Sequence, residues 1–540
     1  MLGRRDPQQS LFAAQNLPHC VPTDSFYARL GAVSATLFKD DDLKALYHPA
    51  NGRPSLPPSL LSGVLLLQFY DDVSDEEAVA RCKYDLRWKV ALNLPLDFAG
   101  FDPSSLTYYR ARLLAHQKER YAFDRLLKVG REAGFVPDKV MLLTDTTWVK
   151  GAGAVQDTYT LIRKAIRKLL KQLGYALPGK RHGLADAARQ LLATYLDTDR
   201  KAHIDWADPQ QRAVQLQVLV QDAEAALDLA LAHADDAEVR TTGWLLTKIL
   251  GDDLIQDANG NPQIAEGTAP ERIISITEPE MRHGRKSAAQ RFNGFKTAVA
   301  TEADSELILD IQDIPAPGSD GEQLLPTIQR VEAQAGVIVE RTLGDGAYGS
   351  GANRAACANY PDHPVDLLAP ITRPADPQVH KSAFQIDRET QTATCPAGQT
   401  VQGRDATTQG QPVLQFEFAR ATCEACPLCA RCVKGKVHGR TVSVDAYESY
   451  RQAARQRQDT AEFKTLYPIR SRVERKQAEL VHHGLRDTRY LGQRKRQFQR
   501  LWTAAAVNLK RLFKLAETRK VDLATTFGRL NGQPAGLMLA

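Results

Sequence analysis

Two acidic residues have the surroundings of catalytic carboxylates. Asp345 follows the β-branched run Val337-Ile338-Val339, which is typical of a buried strand, and Gly344 and Gly346 flank it and leave the backbone free to bend. Asp145 ends a second apolar run, Val140-Met141-Leu142-Leu143-Thr144. Open α/β sheets bind their ligands at the carboxyl ends of strands. We therefore expect Asp145 and Asp345 to lie at one edge of a sheet.

A third carboxylate, Glu474, lies on a predicted helix that begins after Tyr467 and carries Arg470 on the same face. One interpretation is a surface ion pair, which would contribute little to stability. If the helix packs beside the two acid-bearing strands, Glu474 instead joins Asp145 and Asp345. Three carboxylates can hold two divalent cations about 4 Å apart, an arrangement that suits in-line phosphodiester chemistry.

The charge of the chain is concentrated near its C-terminal end. The formal net charge is only +6 over 540 residues, but the segment from Pro468 to Lys520 holds 15 basic and 4 acidic residues, a local net charge of +11. Such a block favours a polyanionic partner. The alternative is a helical face that is simply solvated.

Five cysteines form a second group with possible ligand chemistry. Cys395 precedes Cys423-x-x-Cys426-x-x-Cys429-x-x-Cys432. Structural zinc takes four ligands and favours thiolates, so we assign Cys395, Cys423, Cys426 and Cys432 as zinc ligands and leave Cys429 spare. The close spacing also resembles iron–sulfur ligation, and free thiols are the third alternative.

The elements that must position these residues begin with helices. Leu56-Pro57-Pro58 starts one helix, and Ser74-x-x-Glu77 has the spacing of a capping box that opens a helix from Asp75 to Leu92. Asp102-Pro103-Ser104 starts another. These helices are compatible with a helix-turn-helix-like DNA reader or with a dimerisation or packing module, and helical spacing does not choose between them.

Strands return at Arg272–Ile276, after a helical stretch, and Met281–Lys286 is predicted to be a basic loop. Gly294–Ala300 and Leu307–Ile311 then predict a hairpin, and a helix leads into the strand before Asp345. With the helical stretch set aside, this is the element order of an RNase H-like fold. We predict an α/β protein whose mixed five-stranded sheet carries a helical insertion and a Cys-rich insertion and follows an all-α N-terminal domain.

The predicted boundaries follow from these changes in composition. We expect an all-helical region at 1–134, a catalytic region at 138–515 and a flexible tail at 516–540, with a helical insertion at 150–270 and a Cys-rich, zinc-binding insertion at 370–445. No apolar run is long enough for a membrane span, and the N-terminal residues lack the apolar core of a signal peptide. We therefore expect a cytoplasmic protein with no membrane partner.

Several segments, in order, resemble the DDE transposases of bacterial insertion sequences, which share an RNase H-like core with retroviral integrases. The resemblance runs from about Leu56 almost to the end of the chain. The segments that carry it are Arg81–Lys89, Phe101-Asp102, Tyr109–Arg112, Thr144–Thr147, Gly151–Ala154, Gly344–Tyr348, Tyr467–Arg475 and His483–Tyr490. Each is weak alone, but their order makes the combination specific.

The resemblance implies that Asp145, Asp345 and Glu474 are the catalytic residues and bind Mg²⁺ or Mn²⁺. It implies double-stranded DNA as partner, two protomers in the complex that joins two element ends, and an N-terminal domain that binds terminal inverted repeats or pairs protomers. Tyr467, Arg470 and Glu474 match a tyrosine–arginine–glutamate signature of one branch. The residues assigned to DNA are Tyr467, Arg470, Arg472, Arg475, His483, Arg486 and Arg489.

The chain departs from that signature at Val481, where the branch has a lysine seven residues after the glutamate. The phosphate-contacting role of that lysine passes to His482, His483 or Arg486, or is absent. The predicted function is cleavage at element ends and joining of the 3′ hydroxyl to target DNA. The alternatives are a haloacid-dehalogenase-type phosphatase, which would need an acid where Thr147 stands, and a DNA-binding protein with a decayed active site.

Overall fold

The computed structural model describes residues 17–49, 52, 54–175, 182, 184–197, 204–269, 271–286, 289–435 and 437–532. Its N-terminal region is helical. The helices are α1 Phe26–Leu37, α2 Pro58–Asp71, α3 Asp75–Tyr84, α4 Leu86–Leu92, α5 Ser104–Ala115 and α6 Tyr121–Glu132. The Ser74 side chain accepts a hydrogen bond from the Glu77 amide, as the capping box predicts.

The predicted helix from Asp75 to Leu92 is wrong in one respect, because it is two helices. Asp85 has an extended backbone between α3 and α4, and its side chain accepts a hydrogen bond from the Arg87 amide. A short polar side chain that caps the next helix competes with continuation of the first one. The chain therefore turns at Asp85.

A mixed sheet follows the helices and forms the centre of the fold. Its strands are β1 Lys139–Lys150, β4 Arg282–Arg285, β5 Arg291–Glu302, β6 Ile308–Pro315, β7 Ile338–Leu343 and β8 Asp366–Leu368. The main order is β6-β5-β1-β7-β8, with β5 antiparallel to β1 and β6, and with β7 and β8 parallel to β1. The predicted fold class is confirmed, since the curled mixed sheet and its helices are consistent with an RNase H-like core. The predicted number of five strands is wrong, because β4 adds a sixth strand by pairing with β5.

Two local predictions in this region are wrong. Arg272–Ile276 is not a strand, although Ile273 and Ile274 are buried, because its backbone bonds reach Gln156 and no neighbouring strand. The basic segment after Met281 is not a loop but β4, which pairs with the start of β5 from Arg282 to Arg285. Arg272–Ile276 is apolar because it is buried, although it pairs with no strand. The segment after Met281 is a strand because it pairs with β5, although its residues are polar.

The segment after β1 forms a separate helical layer with its own hydrophobic cluster. Its elements are α7 Thr158–Gln172, α8 Asp186–Leu192, α9 Pro209–Leu231 and α10 Ala237–Asp253, followed by a small hairpin of β2 Leu254–Gln256 and β3 Pro262–Ile264. Asp157, Asp208 and Asp236 cap α7, α9 and α10 by accepting backbone hydrogen bonds. None of these residues lines the site described below.

The Cys-bearing segment forms a small antiparallel sheet. Its order is β13-β12-β11-β10-β9. The elements are β9 Gln385–Asp387, β10 Thr392–Thr394, β11 Thr400–Thr408, β12 Gln411–Glu417, α13 Arg420–Glu424, α14 Cys429–Cys432 and β13 Thr441–Val444. Short strands with many polar residues hid this sheet from the pattern analysis. The cluster of described buried side chains at its centre has only seven members.

The remaining helices complete the layers around the mixed sheet. They are α11 Leu324–Ala335, α12 Gly351–Ala358, α15 Glu448–Gln458, α16 Ala461–Leu466, α17 Ser471–His482, α18 Gln493–Arg519 and α19 Leu523–Leu530. Trp502 of α18 lies in one hydrophobic cluster with residues of α2 and β1, so the N-terminal helices and the sheet share a core. Asn508 binds both the amide and the carbonyl of Ile308, which fixes α18 on β6.

The prediction of a flexible tail from 516 onward is wrong for residues 523–530. They form α19, capped by Asp522, and Leu523 and Phe527 are buried in the main cluster. Apolar residues at helical spacing can bury a face even near a terminus. Residues 533–540 of the predicted tail lie outside the described residues.

Candidate active site

The register between β1 and β7 brings Asp145 and Asp345 together. The two strands are parallel, and Leu143 pairs with Leu343, so each aspartate lies two residues beyond a matched pair. The prediction that both acids end strands is half right. β7 ends at Leu343, but β1 continues to Lys150, so Asp145 lies inside a strand. Asp145 therefore has a rigid backbone on both sides, whereas Asp345 begins a turn.

Asp145 is mostly buried, with 15% of its side chain exposed. The Thr146 amide donates to its Oδ1 at 2.8 Å. Burial raises the pKa of Asp145 to about 6 from an ordinary 3.8, against the lowering effect of the Thr146 amide and Arg470. Asp345 and Glu474 raise the pKa further. Asp345 and Glu474 therefore both lie close enough to Asp145 to repel its charge.

The glycine before Asp345 is needed for packing. A Cβ on Gly344 would lie 2.7 Å from the Tyr348 ring, closer than side chains approach, and Tyr348 is buried beneath the turn. Gly346 has no such neighbour, and neither glycine has a positive φ, so the expected backbone freedom is not what the turn uses. The Ala347 amide donates to Asp345 Oδ1 at 2.8 Å and holds the carboxylate at the turn.

Glu474 reaches the same place because α17 packs on the sheet. Val473 and Leu480 are fully buried in the main cluster, and α17 lies against β1 and β5. This packing leaves Glu474 on the open side of the helix, with 51% of its side chain exposed. The structure thus brings together the three acids that the sequence singled out.

Arg470 links two of these acids. Its Nη1 lies 3.3 Å from Asp145 Oδ2, and its Nη2 donates to Glu474 Oε1. The Arg470 guanidinium therefore lies between two carboxylates, and its positive charge offsets the repulsion between them.

Three carboxylates are a suitable donor set for Mg²⁺ or Mn²⁺, which prefer oxygen ligands. Among the described residues, no group of three or more His, Cys, Asp or Glu side chains is already close enough to hold a metal ion. Arg470 occupies the space between two of the donors. The residues fit a divalent cation by chemistry and by position in one cleft, provided that Arg470 turns away from Glu474.

The cleft contains further residues that the sequence did not single out. It is lined by Asp145, Thr146, Thr147, Trp148, Arg285, Lys286, Phe292, Lys296, Asp320, Asp345, Arg470, Glu474, Gln477, Ala478, Val481 and Arg486. Lys296 is bound to Asp320 at 2.8 Å. Val481, the position of the missing lysine, lies on this cleft and adds an apolar surface. No local pattern distinguishes these residues, because they come from separate elements.

Of the residues assigned to DNA, only Arg470 and Arg486 belong to the cleft lining given above. Tyr467 stacks on Phe463 beside Arg470, and the charges of Asp345 and Glu474 help to raise its pKa after burial, so it lies near the acids. Arg472 donates to the Ala303 carbonyl at 2.6 Å.

Four more of the assigned residues lie farther along the same segment. Arg475 lies 3.4 Å from Glu306. His483 is buried against the Tyr70 carbonyl, and Arg489 donates to the Val73 carbonyl at 2.6 Å. Arg486 lines the cleft. His483 and Arg489 therefore fasten α2 to the catalytic region in the structure as described.

The basic segment is largely neutralised inside the protein. In the part of the chain that the structure describes, ten of its fifteen basic residues form salt bridges, many with acids far away in sequence. Arg496 is 2% exposed and contacts Glu278, Glu280 and Asp313, and Arg500 is fully buried beside Asp313. Both explanations offered from the sequence, an open DNA-binding face and a solvated face, are therefore wrong for these two residues.

The five cysteines line one pocket of the small antiparallel sheet. Burial raises the pKa of Cys432, Arg440 lowers it, and the thiols of Cys423, Cys395 and Cys426 raise it further. These are the four cysteines assigned to zinc. The Leu428 amide donates to Cys426 Sγ at 3.4 Å. The thiols are neighbours, but they do not yet form a ligand shell in the structure.

Comparisons with known protein families decide the class. Residues 394–513 match the family model described as transposase DDE domain, and residues 15–112 match the model described as Transposase domain (DUF772). These two matches support a DDE transposase of an insertion sequence. A search of curated proteins and a search of solved structures found no match.

The DDE match of the transposase includes Glu474 and the five clustered cysteines, whereas Asp145 and Asp345 lie outside both matched segments. A transposase acts on DNA, and a DDE domain implies nuclease or transferase activity in general. Both matches disfavour the phosphatase alternative. No helix in the described ranges is both long and apolar enough to cross a membrane.

Proposed function

We propose that this transposase binds the terminal inverted repeats of its element, cleaves DNA at the element ends and joins the freed 3′ hydroxyl to target DNA. The observation that carries the proposal is that Asp145, Asp345 and Glu474 line one cleft and influence one another electrostatically. Carboxylates held close together in a cleft are suited to binding divalent cations, and paired divalent cations can activate a phosphodiester.

In this proposal Asp145, Asp345 and Glu474 hold Mg²⁺ or Mn²⁺, which, when bound, activates the attacking oxygen and stabilises the leaving one. Asp145 must be deprotonated to serve as a ligand. Arg470 would release Glu474 on metal loading and remain available to a phosphate, because its guanidinium presents several donors. The buried Tyr348 packs under the turn that carries Asp345 and holds Asp345 beside the end of β7.

We further propose the division of labour expected from the sequence. The catalytic region is 138–515, and the helices before 134 bind the element ends or pair two protomers of the synaptic complex. The shared core between α2, β1 and α18 supports a rigid connection between the two regions. With a rigid connection, a DNA end bound by the N-terminal helices would have a fixed position relative to the cleft.

The test uses a labelled duplex that contains the DNA flanking the gene on each side. With Mg²⁺ or Mn²⁺ the full-length protein should nick this duplex at a fixed position, and the new 3′ end should then join a supercoiled plasmid. A duplex of the same length with shuffled sequence is the control, and EDTA should stop the reaction. DNA binding without metal-dependent nicking would support the decayed-site alternative and contradict the proposal.

We also propose that Cys395, Cys423, Cys426 and Cys432 bind one structural zinc ion. Their proximity supports this ligand set, and so does the very small apolar core of the sheet that carries them. Small modules that cannot bury enough apolar surface commonly depend on a metal or another cross-link. Cys429 is the spare thiol.

Metal analysis of the purified protein should find about one zinc per chain, as for a closed four-thiolate site. Cys432→Ser should lose that zinc and lower the melting temperature, because one thiolate ligand is gone. Cys429→Ser is the matched control and should keep both. Protein without bound zinc, or with iron and visible absorbance instead, would rule out the zinc assignment.

A further inference from the structure

Arg486 is a cation of the cleft that no acidic side chain neutralises. Within the described ranges no carboxylate forms a salt bridge with it, and its sequence neighbour Asp487 binds Lys150 at 2.9 Å instead. Two other cations of the same cleft are engaged, Arg470 with two acids and Lys296 with Asp320. Burial lowers the pKa of Arg486, and the charge of Asp487 offsets this effect only in part, so the guanidinium is partly desolvated.

Trp148 holds this guanidinium in place. The Arg486 guanidinium carbon lies 3.9 Å from the centre of the Trp148 ring, and its Nη1 donates to the Trp148 carbonyl at 2.5 Å. Phe292 stacks on the same ring, with centres 5.6 Å apart and planes at 27°. The guanidinium is therefore held in a defined position, and most of its donors remain free.

The backbone on both sides of this contact is fixed as well. The Lys150 amide donates to the Arg486 carbonyl at 2.9 Å, and Lys150 forms a parallel bridge with Asp487. The turn after α17 is thus attached to the far end of β1, the strand that also carries Asp145. Arg486 and Asp145 consequently belong to one rigid unit.

A fixed and partly desolvated guanidinium that forms no salt bridge among the described residues is suited to an anion from outside the protein. The planar fork of arginine matches the geometry of phosphate, and pre-organisation lowers the entropy lost on binding. We propose that Trp148 is a positioning residue that holds Arg486 as a fixed contact for one backbone phosphate of the DNA in the cleft. The inference rests on the proposed function and names a contact within it.

The competing explanation is that Arg486 only fastens the turn to β1 through its bond to the Trp148 carbonyl. The two explanations differ in what salt does to DNA binding. Each phosphate neutralised by a protein cation releases counter-ions, so losing such a contact makes binding less dependent on salt. A residue that only fastens a turn would not change that dependence.

The experiment measures binding of full-length protein to the flanking-DNA duplex in EDTA over a series of salt concentrations. Arg486→Gln should weaken binding about tenfold and reduce the slope of log affinity against log salt by about 1. Trp148→Leu should have the same effect, whereas Trp148→Phe should retain wild-type binding because it preserves a stacking face. Lys495→Gln is the control, since it removes an exposed cation outside the cleft.

The double variant Trp148→Leu/Arg486→Gln should bind no more weakly than Arg486→Gln alone, because both changes remove one contact. Melting curves verify folding, and if Trp148→Leu does not fold, Arg486→Gln and Trp148→Phe still decide. Wild-type affinity and slope in Arg486→Gln, or additive losses in the double variant, would overturn the inference while metal-dependent nicking by the wild type keeps the proposed function. A wild-type protein that binds no DNA would overturn both.

Discussion

Asp145→Asn should reduce the rate of DNA cleavage by a factor of about 10³ or more. It should also stabilise the metal-free protein at neutral pH by about 3 kcal/mol. The loss of activity follows because an amide cannot replace a carboxylate as ligand of a divalent cation. The gain in stability follows from the pKa of Asp145, which burial raises from 3.8 to about 6. At neutral pH the folded protein keeps a buried charge that the unfolded chain exposes to water.

The dependence on pH has a definite sign. A folded-state pKa above the unfolded one means that protonated Asp145 contributes stability at low pH, and this contribution is lost as the pH rises toward about 6. Asparagine resembles the protonated form at every pH. The advantage of the variant should therefore be full above the folded pKa and disappear below the unfolded one. Denaturant unfolding from about pH 3 to about pH 8, in EDTA, measures it.

Glu474→Gln is the matched control for this experiment. It should lose cleavage to the same extent, but because Glu474 is half exposed, its effect on the free energy of unfolding should stay below about 1 kcal/mol. Equal stability of Asp145→Asn and the wild type across the pH range would contradict the burial argument. Cleavage by Asp145→Asn at the wild-type rate would remove Asp145 from the catalytic assignment.

Arg496→Met should lower the free energy of unfolding by about 3 to 5 kcal/mol, because it leaves the buried Glu278 without its cation and Asp313 with Arg500 alone. Arg496 donates to Glu278 at 2.7 Å and to Asp313 at 2.8 Å, and both acids are almost fully buried. Its guanidinium also lies 3.7 Å from the centre of the Phe295 ring. Glu278 in turn accepts from the amides of Ala152 and Gly153, so the cluster supports the segment that follows β1.

Denaturant unfolding of Arg496→Met and of Lys495→Met, its exposed neighbour, makes the comparison. Lys495→Met should change the free energy of unfolding by less than about 0.5 kcal/mol. Adding Glu278→Gln to Arg496→Met should recover part of the loss, since it removes one unpaired buried charge. If Arg496→Met were as stable as the wild type but lost DNA affinity, Arg496 would be a DNA contact and the structural interpretation would be wrong.

Several parts of the fold were predictable because local chemistry decides them. Ser74 caps α3 through a side chain three residues from its partner, and apolar runs identified the strand that carries Asp145 and the strand that precedes Asp345. Predictions failed where the secondary structure of a segment depends on its contact with a distant segment. Arg272–Ile276 is apolar because it is buried and not because it is a strand, and β4 is polar because its pairing with β5 does not bury it.

The candidate site divides in the same way. The residue types of Asp145, Asp345 and Glu474 were evident, but their meeting depends on the β1–β7 register and on α17 packing against the sheet. Trp148 was not singled out, because a tryptophan in a strand is ordinary until Arg486, more than three hundred residues later, is found against its ring.

The sequence by itself determined the chemistry that the chain carries: three acids among basic residues, five clustered thiols and an order of segments shared with DDE transposases. Only the tertiary structure decided which of these charges are paired inside the protein and which stay open to a partner. The basic segment has a net charge of +11 in sequence, yet ten of its fifteen cations are paired, and Arg496 and Arg500 are interior. Charges cancel through space and not along the chain, so their partners become known only when distant elements pack together.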